Sequence, residues 1–462
     1  MEEKRKMSIA SWLKGVLSRL FDTQDIAKKM QTELPAEKDM REAVTLWAEC
    51  YRNAPPWVAA ESNIRSLNLP YSIAHEMARL VTLEMQSKLT GSARAEYLSE
   101  AYDKSIADAP VWVEYGCALG GVFLKPYVSG GKIFADYIQA DAAVVTSYDG
   151  SGNITGGIFA DRITKGRRYY TRLEKHALSG YDYTVTNKAY VSDNAAYIGR
   201  EVPLGTVKEW ADIAPEATFT GIKRPLFAYL GMPGANIIDR RSPLGVSVFS
   251  PALPTIKEAD RQFTRSIWEF EGSELAVYAD VTAVQRKSDG SDSMPRFDRR
   301  LIKTLDFNKD EAFEVFSPVI REEAQRNGLK QLLRQVERQC GLAFGTLSEI
   351  SETDKTATEI KASKQRSYAT VSAIQSRVRK ALTEYAEVLD ILCDIYGLAP
   401  KGAYEQSFDF DDSLVTDSES EQKIWLQEVS AGLMSPVEYR MKRYGETEEQ
   451  AKEALPESFG DE

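Results

Sequence analysis

From residue 356 to residue 396 the chain contains neither glycine nor proline, so nothing in that run interrupts a helix. At 1.5 Å per residue such a helix is about 60 Å long. A rod of that length needs many neighbours, more than a compact globule supplies, and it points to a multi-subunit assembly. Gly397 and Pro400 mark its end.

Two amphipathic helices precede it. Ile256, Ala259, Phe263, Ile267 and Phe270 step by three or four after Pro251 and Pro254, and Gly272 stops that run. Arg321 opens the second helix, with Leu329, Leu332, Leu333, Val336 and Cys340 on one side. Arg326, Lys330, Arg334 and Arg338, each four apart, line another. Between the two lies a small β unit, with strands predicted at 275–278 and 312–316 and a polar loop at 288–293. Beyond Gly341 comes a loop with Gly345 and the acidic Glu349, Glu352 and Asp354. Asp409, Asp411 and Asp412 form an acidic patch before a last helical region, where Ser435 and Pro436 make an N-cap and first-turn pair.

The first hundred residues read as helices. Ile9, Trp12, Leu13, Val16, Leu17, Leu20 and Phe21 share one stripe that suits either the protein's own body or a membrane surface. A second helix follows Pro35, turns Met40, Ala43, Val44, Trp47 and Tyr51 inward, and stops before Pro55 and Pro56. A third is predicted at 73–89, with Ser72 as its N-cap and His75 in its first turn. From 122 to 202 the texture changes to short Val, Ile, Tyr and Thr runs between Gly, Asp and Asn turns, with a hairpin at Asp149-Gly150. This is an antiparallel meander, so the class is α+β and a parallel nucleotide-binding sheet is disfavoured.

Chemistry is scarce. Cys50, Cys117, Cys340 and Cys393 lie far apart and there are two histidines, a set that gives neither a metal site nor a disulfide framework and suits a reducing cytoplasm. After His75-Glu76 the position that would need a second histidine is Arg79, so a zinc-protease helix fails. Gly130-Gly131-Lys132 lacks the rest of a phosphate loop, and the glycines at 150, 152 and 156 miss the dinucleotide fingerprint by one residue. No catalytic residue, metal ligand or cofactor is expected. The best candidate for a membrane span, 115–124, is short and holds three glycines, so stable membrane insertion is not expected. With 58 Lys and Arg against 69 Asp and Glu, the net charge of −11 lacks the basic footprint of a sequence-specific DNA binder.

The order of these parts resembles the portal proteins of long-tailed bacteriophages. The resemblance covers nearly the whole length. It is carried by Gly341-Leu342-Ala343-Phe344-Gly345-Thr346-Leu347, Lys355-Thr356-Ala357-Thr358-Glu359-Ile360 and Ser367-Tyr368. Gly120-Gly121-Val122-Phe123-Leu124-Lys125-Pro126-Tyr127, Asn236-Ile237-Ile238-Asp239 and Ser242-Pro243-Leu244-Gly245 add to it, as do Trp47 and Tyr51 followed by Pro55-Pro56-Trp57.

That resemblance implies a portal fold of wing, stem, clip and crown, usually with twelve copies in a ring around an axial channel at one capsid vertex. The implied boundaries are a wing at 1–250, stem helices at 251–272 and 321–342, and a clip at 273–320. A tunnel loop at 343–355, a long helix at 356–397 and a crown region at 398–462 complete it. Ser348, Glu349, Glu352, Asp354 and Lys355 would stand in the tunnel loop, though the acidic ones also read as an ordinary solvated loop. Arg326, Lys330, Arg334 and Arg338 would touch phosphates weakly or pair with acidic groups of the adjacent subunit. The implied partners are a terminase that supplies the energy, a head-to-tail adaptor, the major capsid and scaffolding proteins, and double-stranded DNA passing non-specifically. The implied place is the virion, after assembly in the host cytoplasm. Another ring-forming head–tail connector and an uncharacterised oligomeric enzyme are the rival readings.

Overall fold

The computed structural model describes residues 23–35, 38–58, 63–273, 276–280, 302–305, 313–316, 319–348, 357–410, 425–444 and 447–455. The helix predicted at 9–21 and the polar loop at 288–293 lie outside them. Helix α1 spans Thr23–Lys29 and α2 spans Lys38–Tyr51, which buries Met40, Val44 and Trp47 as its spacing predicts. Helix α3 is Leu69–Thr82, so it starts earlier and ends sooner than the sequence pattern indicates. Asn68, in a left-handed turn at φ 56°, precedes it, Pro70 fills its first turn, and Ser72 is an interior residue rather than the cap. His75 is exposed on this helix, 2.9 Å from the Glu114 carboxylate and stacked on Tyr71.

Residues 85–89, expected as the end of that helix, form strand β1 (Met85–Gly91), with Met85, Ser87 and Leu89 buried in alternation. Its partner, β14 (Tyr404–Phe410), runs antiparallel to it from the far end of the chain. Met85 and Leu89 fit a helical i, i+4 pair as well as a strand, and only the distant partner decides between them. Helices α4 (Ala93–Ala107) and α5 (Ala109–Leu119) follow. The apolar run at 115–124 breaks at Gly120, φ 80°, into the end of α5 and the start of a strand. No helix among the described residues is long and apolar enough to cross a membrane.

The β region is antiparallel as predicted. β2 (Gly121–Ser129) pairs with β3 (Lys132–Gln139) on one side and with β10 (Ala228–Gly231) on the other. A meander of β4 (Ala143–Tyr148), β5 (Ile154–Lys165), β6 (Arg168–Ser179) and β7 (Asp182–Ser192) makes a second sheet. It is edged by β8 (Arg200–Val202) and β9 (Glu216–Thr220), both paired with β7. The Asp149 carboxylate closes the β4–β5 turn by accepting the N–H groups of Ser151 and Asn153.

The two sheets are joined by packing and by charge. Phe123 of β2 meets Phe159 of β5 edge to face at 5.5 Å and Phe227 at 5.7 Å. Beside them Lys125 lies 2.9 Å from Glu174 of β6, which also takes Arg172 at 3.1 Å and His176 at 2.7 Å. Burial pushes the Glu174 carboxyl up, but the Lys125 and Arg172 charges outweigh it and hold the group well below the carboxylate range. Burial dominates at His176 and lowers its affinity for a proton.

Helix α6 is Leu253–Gly272 and α7 is Glu322–Cys340, both close to their sequence-predicted bounds. Between them β11 (Ala276–Asp280) pairs antiparallel with β13 (Phe313–Phe316). It also pairs parallel with β12 (Ile302–Leu305), a strand the sequence pattern does not announce. The long run forms one helix, α8 (Ala357–Tyr396), ended by Gly397 at φ 60°. Its surroundings differ from the expectation. Val371, Ile374, Val378, Leu382, Tyr385, Leu389 and Cys393 are buried within the subunit, against α3, α4, β2, β10 and β14. Two short helices, α9 (Pro436–Tyr444) and α10 (Glu448–Glu453), close the described chain, with Ser435 and Glu438 capping α9 reciprocally.

Two of the sequence signatures meet at one backbone joint. Met232 N–H donates to the Gly120 carbonyl at 2.9 Å, and the Asn236 amide holds the Leu244 carbonyl at 2.9 Å. A Cβ on Gly245 would stand 2.2 Å from the Gly120 oxygen, and one on Gly120 would stand 2.4 Å from the Gly245 oxygen. Neither backbone can move without opening the joint. Gly245→Ala is therefore expected to destabilise the subunit by about 3 kcal/mol or more, or to leave it insoluble. A thermal melt within 2 °C of the parent, at roughly 2–4 °C per kcal/mol for chains this size, would contradict that.

Candidate functional site

The residue pattern that distinguishes this chain is the helix pair around the small sheet, and burial along that pair is graded. At the root, Ile256 and Ala259 of α6 and Val336 and Cys340 of α7 belong to the main core. Asp260 is buried there too. Its Oδ2 accepts the Trp57 indole N–H at 2.8 Å and its Oδ1 the Leu67 N–H at 2.8 Å, which pins the helix to the N-terminal body. Burial pushes the Asp260 carboxyl up. At the tip, Trp268 is 68% exposed and Phe270, Val319 and Ile320 are exposed as well.

The helices run antiparallel and are stitched by polar side chains. Gln262 bonds Gln325 at 2.5 Å, and Gln325 in turn donates to Glu269 at 2.7 Å. Arg321, at the start of α7, grips both oxygens of Glu269 at 3.0 Å and adds its own backbone N–H at 2.9 Å. These bonds, the Arg321 side chain first, hold the Glu269 carboxyl at about 2.

The predicted basic stripe occupies one line along α7, but its members differ. Arg326 pairs with Glu322 at 3.7 Å in solvent, a contact worth little. Lys330 and Arg334 are half-buried and each is engaged within the chain. Arg338 is exposed. Of the predicted loop residues, Ser348 is described and buried, next to α7; Glu349, Glu352, Asp354 and Lys355 lie outside the described residues.

A residue that pattern reading missed sits between them. Glu337 is fully buried and receives the Ser348 hydroxyl and backbone N–H. The signal was available, because Leu329, Leu333 and Glu337 are spaced by four and put an acid in an apolar row. Asp260 gives the same signal one residue after Ala259. The loop also contacts α8, where the Arg366 guanidinium lies 5.5 Å from the Phe344 ring.

None of this resembles a reaction centre. Among the described residues no group of His, Cys, Asp and Glu has metal-binding geometry. The four cysteines are buried and free, and burial pushes the Cys50 and Cys340 thiols up to about 12. What the geometry offers is a rigid helix pair, rooted in a core at one end and apolar at the other.

A family model described as "Phage portal protein, SPP1 Gp6-like" matches residues 100–458. The chain belongs to the phage portal protein family. The match runs from within α4 past the last described helix and includes α6, α7 and α8. Among solved structures, a chain of "Neck of native GTA particle computed with C12 symmetry" is similar at 12% identity, with a TM-score of 0.45. The alignment covers 90% of this chain and 97% of that one. A comparison with proteins of curated function gives no match. Portal proteins are structural components of the phage particle at the head–tail connection, and the buried polar groups Asp260 and Glu337 of this portal protein hold backbone N–H groups of neighbouring segments.

Two outcomes follow for the helix pair. Asp260→Ala strands the Trp57 and Leu67 N–H groups and is expected to cost about 2–4 kcal/mol in denaturant unfolding; a loss below about 0.5 kcal/mol would show the root is held elsewhere. The Glu269 carboxyl is lowered in the folded state, so its stabilisation is present above the unfolded value near 4.5 and is lost as pH falls toward about 2. Glu269→Gln should flatten that part of the acid titration of stability, and an unchanged profile would refute the assignment.

Proposed function

We propose that this portal protein assembles as a ring of twelve around an axial channel, through which double-stranded DNA is packaged and later ejected. The α6–α7 pair serves as the stem, and the sheet of β11, β12 and β13 belongs to the clip that docks the terminase and then the head-to-tail adaptor. Capsid and scaffolding proteins contact the remaining body, and the loop at 343–355, whose residues up to Ser348 pack against α7 and α8, leads on toward the channel. The observation that carries this reading is the set of exposed apolar side chains at the tip of the pair. Trp268 and Phe270, on different faces of α6, and Val319 and Ile320 before α7 are left exposed, on a helix pair that is packed into the body only at its root. A heterologous contact repeated around a ring uses a different face of each copy on either side and covers such side chains.

Charge fits the same reading. Twelve copies would carry formally 12 × −11 = −132. A wall of mostly like charge repels phosphates and lets DNA slide without the counterion release that would hold it. Arg338, exposed at the loop end of α7, then makes at most a passing phosphate contact or pairs with the adjacent subunit. Movement of DNA is driven by the terminase, since this sequence has no nucleotide loop.

Native mass spectrometry with negative-stain imaging tests the architecture. Twelve chains of 51.7 kDa give rings of about 620 kDa with a central hole. Trp268→Glu should leave subunit stability within about 0.5 kcal/mol and abolish the rings; rings in normal yield would remove the Trp268 face of the tip as the interface. Arg338→Glu should likewise spare the subunit and reduce ring formation or DNA filling. Arg334→Glu, at a half-buried and engaged position, should destabilise the subunit itself by about 1–2 kcal/mol. Equal behaviour of the two variants would contradict the division.

A further inference from the structure

The turn that follows α7 is built around one side chain to which the channel reading assigns no part. Glu337 lies in the last turn of α7 and is fully buried. Its Oε1 accepts the backbone N–H groups of Gly345 at 3.0 Å, Leu347 at 2.6 Å and Ser348 at 2.9 Å. The Ser348 hydroxyl stands 3.1 Å from each carboxylate oxygen. The main-chain carbonyl of the same residue accepts the N–H groups of Gly341 and, at 2.9 Å, of Leu342. One residue thus gathers five backbone donors and a hydroxyl from the segment 341–348.

Two glycines make the wrap possible. Gly341 at φ 73° and Gly345 at φ 89° adopt left-handed backbone that other residues resist. Gly341 also lies against α8, where a Cβ would stand 2.3 Å from the Thr370 hydroxyl oxygen. Leu342 is fully buried beside them. A buried carboxylate stripped of its donors is costly, and so are the amides it would abandon. Removing the Glu337 side chain therefore releases all of its donors at once.

We infer that Glu337 is a positioning residue that makes residues 341–348 a rigid continuation of α7. Ser348, where the chain leaves toward the loop, moves with the helix and does not swing at Gly341. A shift of α7 along its axis is delivered directly to the loop base, so the position of the loop in the channel reports the position of the stem. The inference rests on the reading of α7 as a stem helix and of 343–355 as a channel loop.

Hydrogen exchange followed by mass spectrometry on full-length rings tests it, with DNA retained per particle as the second readout. Glu337→Ala should accelerate exchange in the 342–348 peptide by about tenfold or more, with α6 peptides unchanged, and should lower DNA retention. Glu337→Gln keeps an oxygen where Oε1 stands and should retain both protection and DNA. Should Glu337→Ala not fold, Ser348→Ala, which removes the hydroxyl alone, has to accelerate exchange at 345–348 without disturbing α6. Unchanged exchange in the alanine variant, or in Ser348→Ala in its place, overturns the anchor. Faster exchange with parental DNA retention overturns the positioning role. Parental particles without an axial channel would count against the channel reading alone, because the exchange result stands independently of it.

Discussion

The subunit is organised along one buried helix. From Val371 to Cys393, α8 turns apolar side chains to α3 and α4 on one side and to β2, β10 and β14 on others. Each fully buried Val, Leu or Ile contributes about 1.5–3 kcal/mol relative to an exposed one, and this row is long enough that the other elements are placed by reference to it. Tyr385 adds a hydroxyl that bonds Ser105 at 2.9 Å, and Arg94 reaches the C-terminal end of the helix at Asp394 and the Pro400 carbonyl. The pairing of β1 with β14 closes the body across more than three hundred residues. An assembly of several subunits is not required to cover this helix; the subunit does most of that itself.

Against that fixed body, the sequence signatures mark places where two stretches of backbone touch. Gly120 and Gly245 are in mutual contact, Asn236 fixes the loop that presents Gly245, and Gly341 lies on Thr370. Trp57 fastens the root of α6 through Asp260. These are requirements of geometry and polar satisfaction, and they explain why a family can be read from this chain.

The same logic separates the two ends of the α6–α7 pair. At the root, apolar burial and the Asp260 and Glu337 carboxylates bind the helices to the body and to the turn at 341–348. Midway and toward the tip, Gln262, Gln325, Glu269 and Arg321 keep the helices together without any core beneath them. At the tip the apolar side chains of Trp268, Phe270, Val319 and Ile320 are left exposed, so the pair is fixed at its root and open at its end.

Sequence alone determined the helices whose period is unambiguous: α2, α6, α7 and the unbroken α8, together with the antiparallel hairpins bounded by Asp149 and the glycine turns. It also determined the class and, through the ordered signatures, the family. Local pattern could not determine β1, because Met85 and Leu89 satisfy two periods equally well. Nor could it determine β12 or the covering of α8, which depend on partners far away in the chain. The roles of Asp260 and Glu337 were also decided by tertiary structure. An acid in an apolar row is only an anomaly until the fold shows which backbone N–H groups come within hydrogen-bond reach of it.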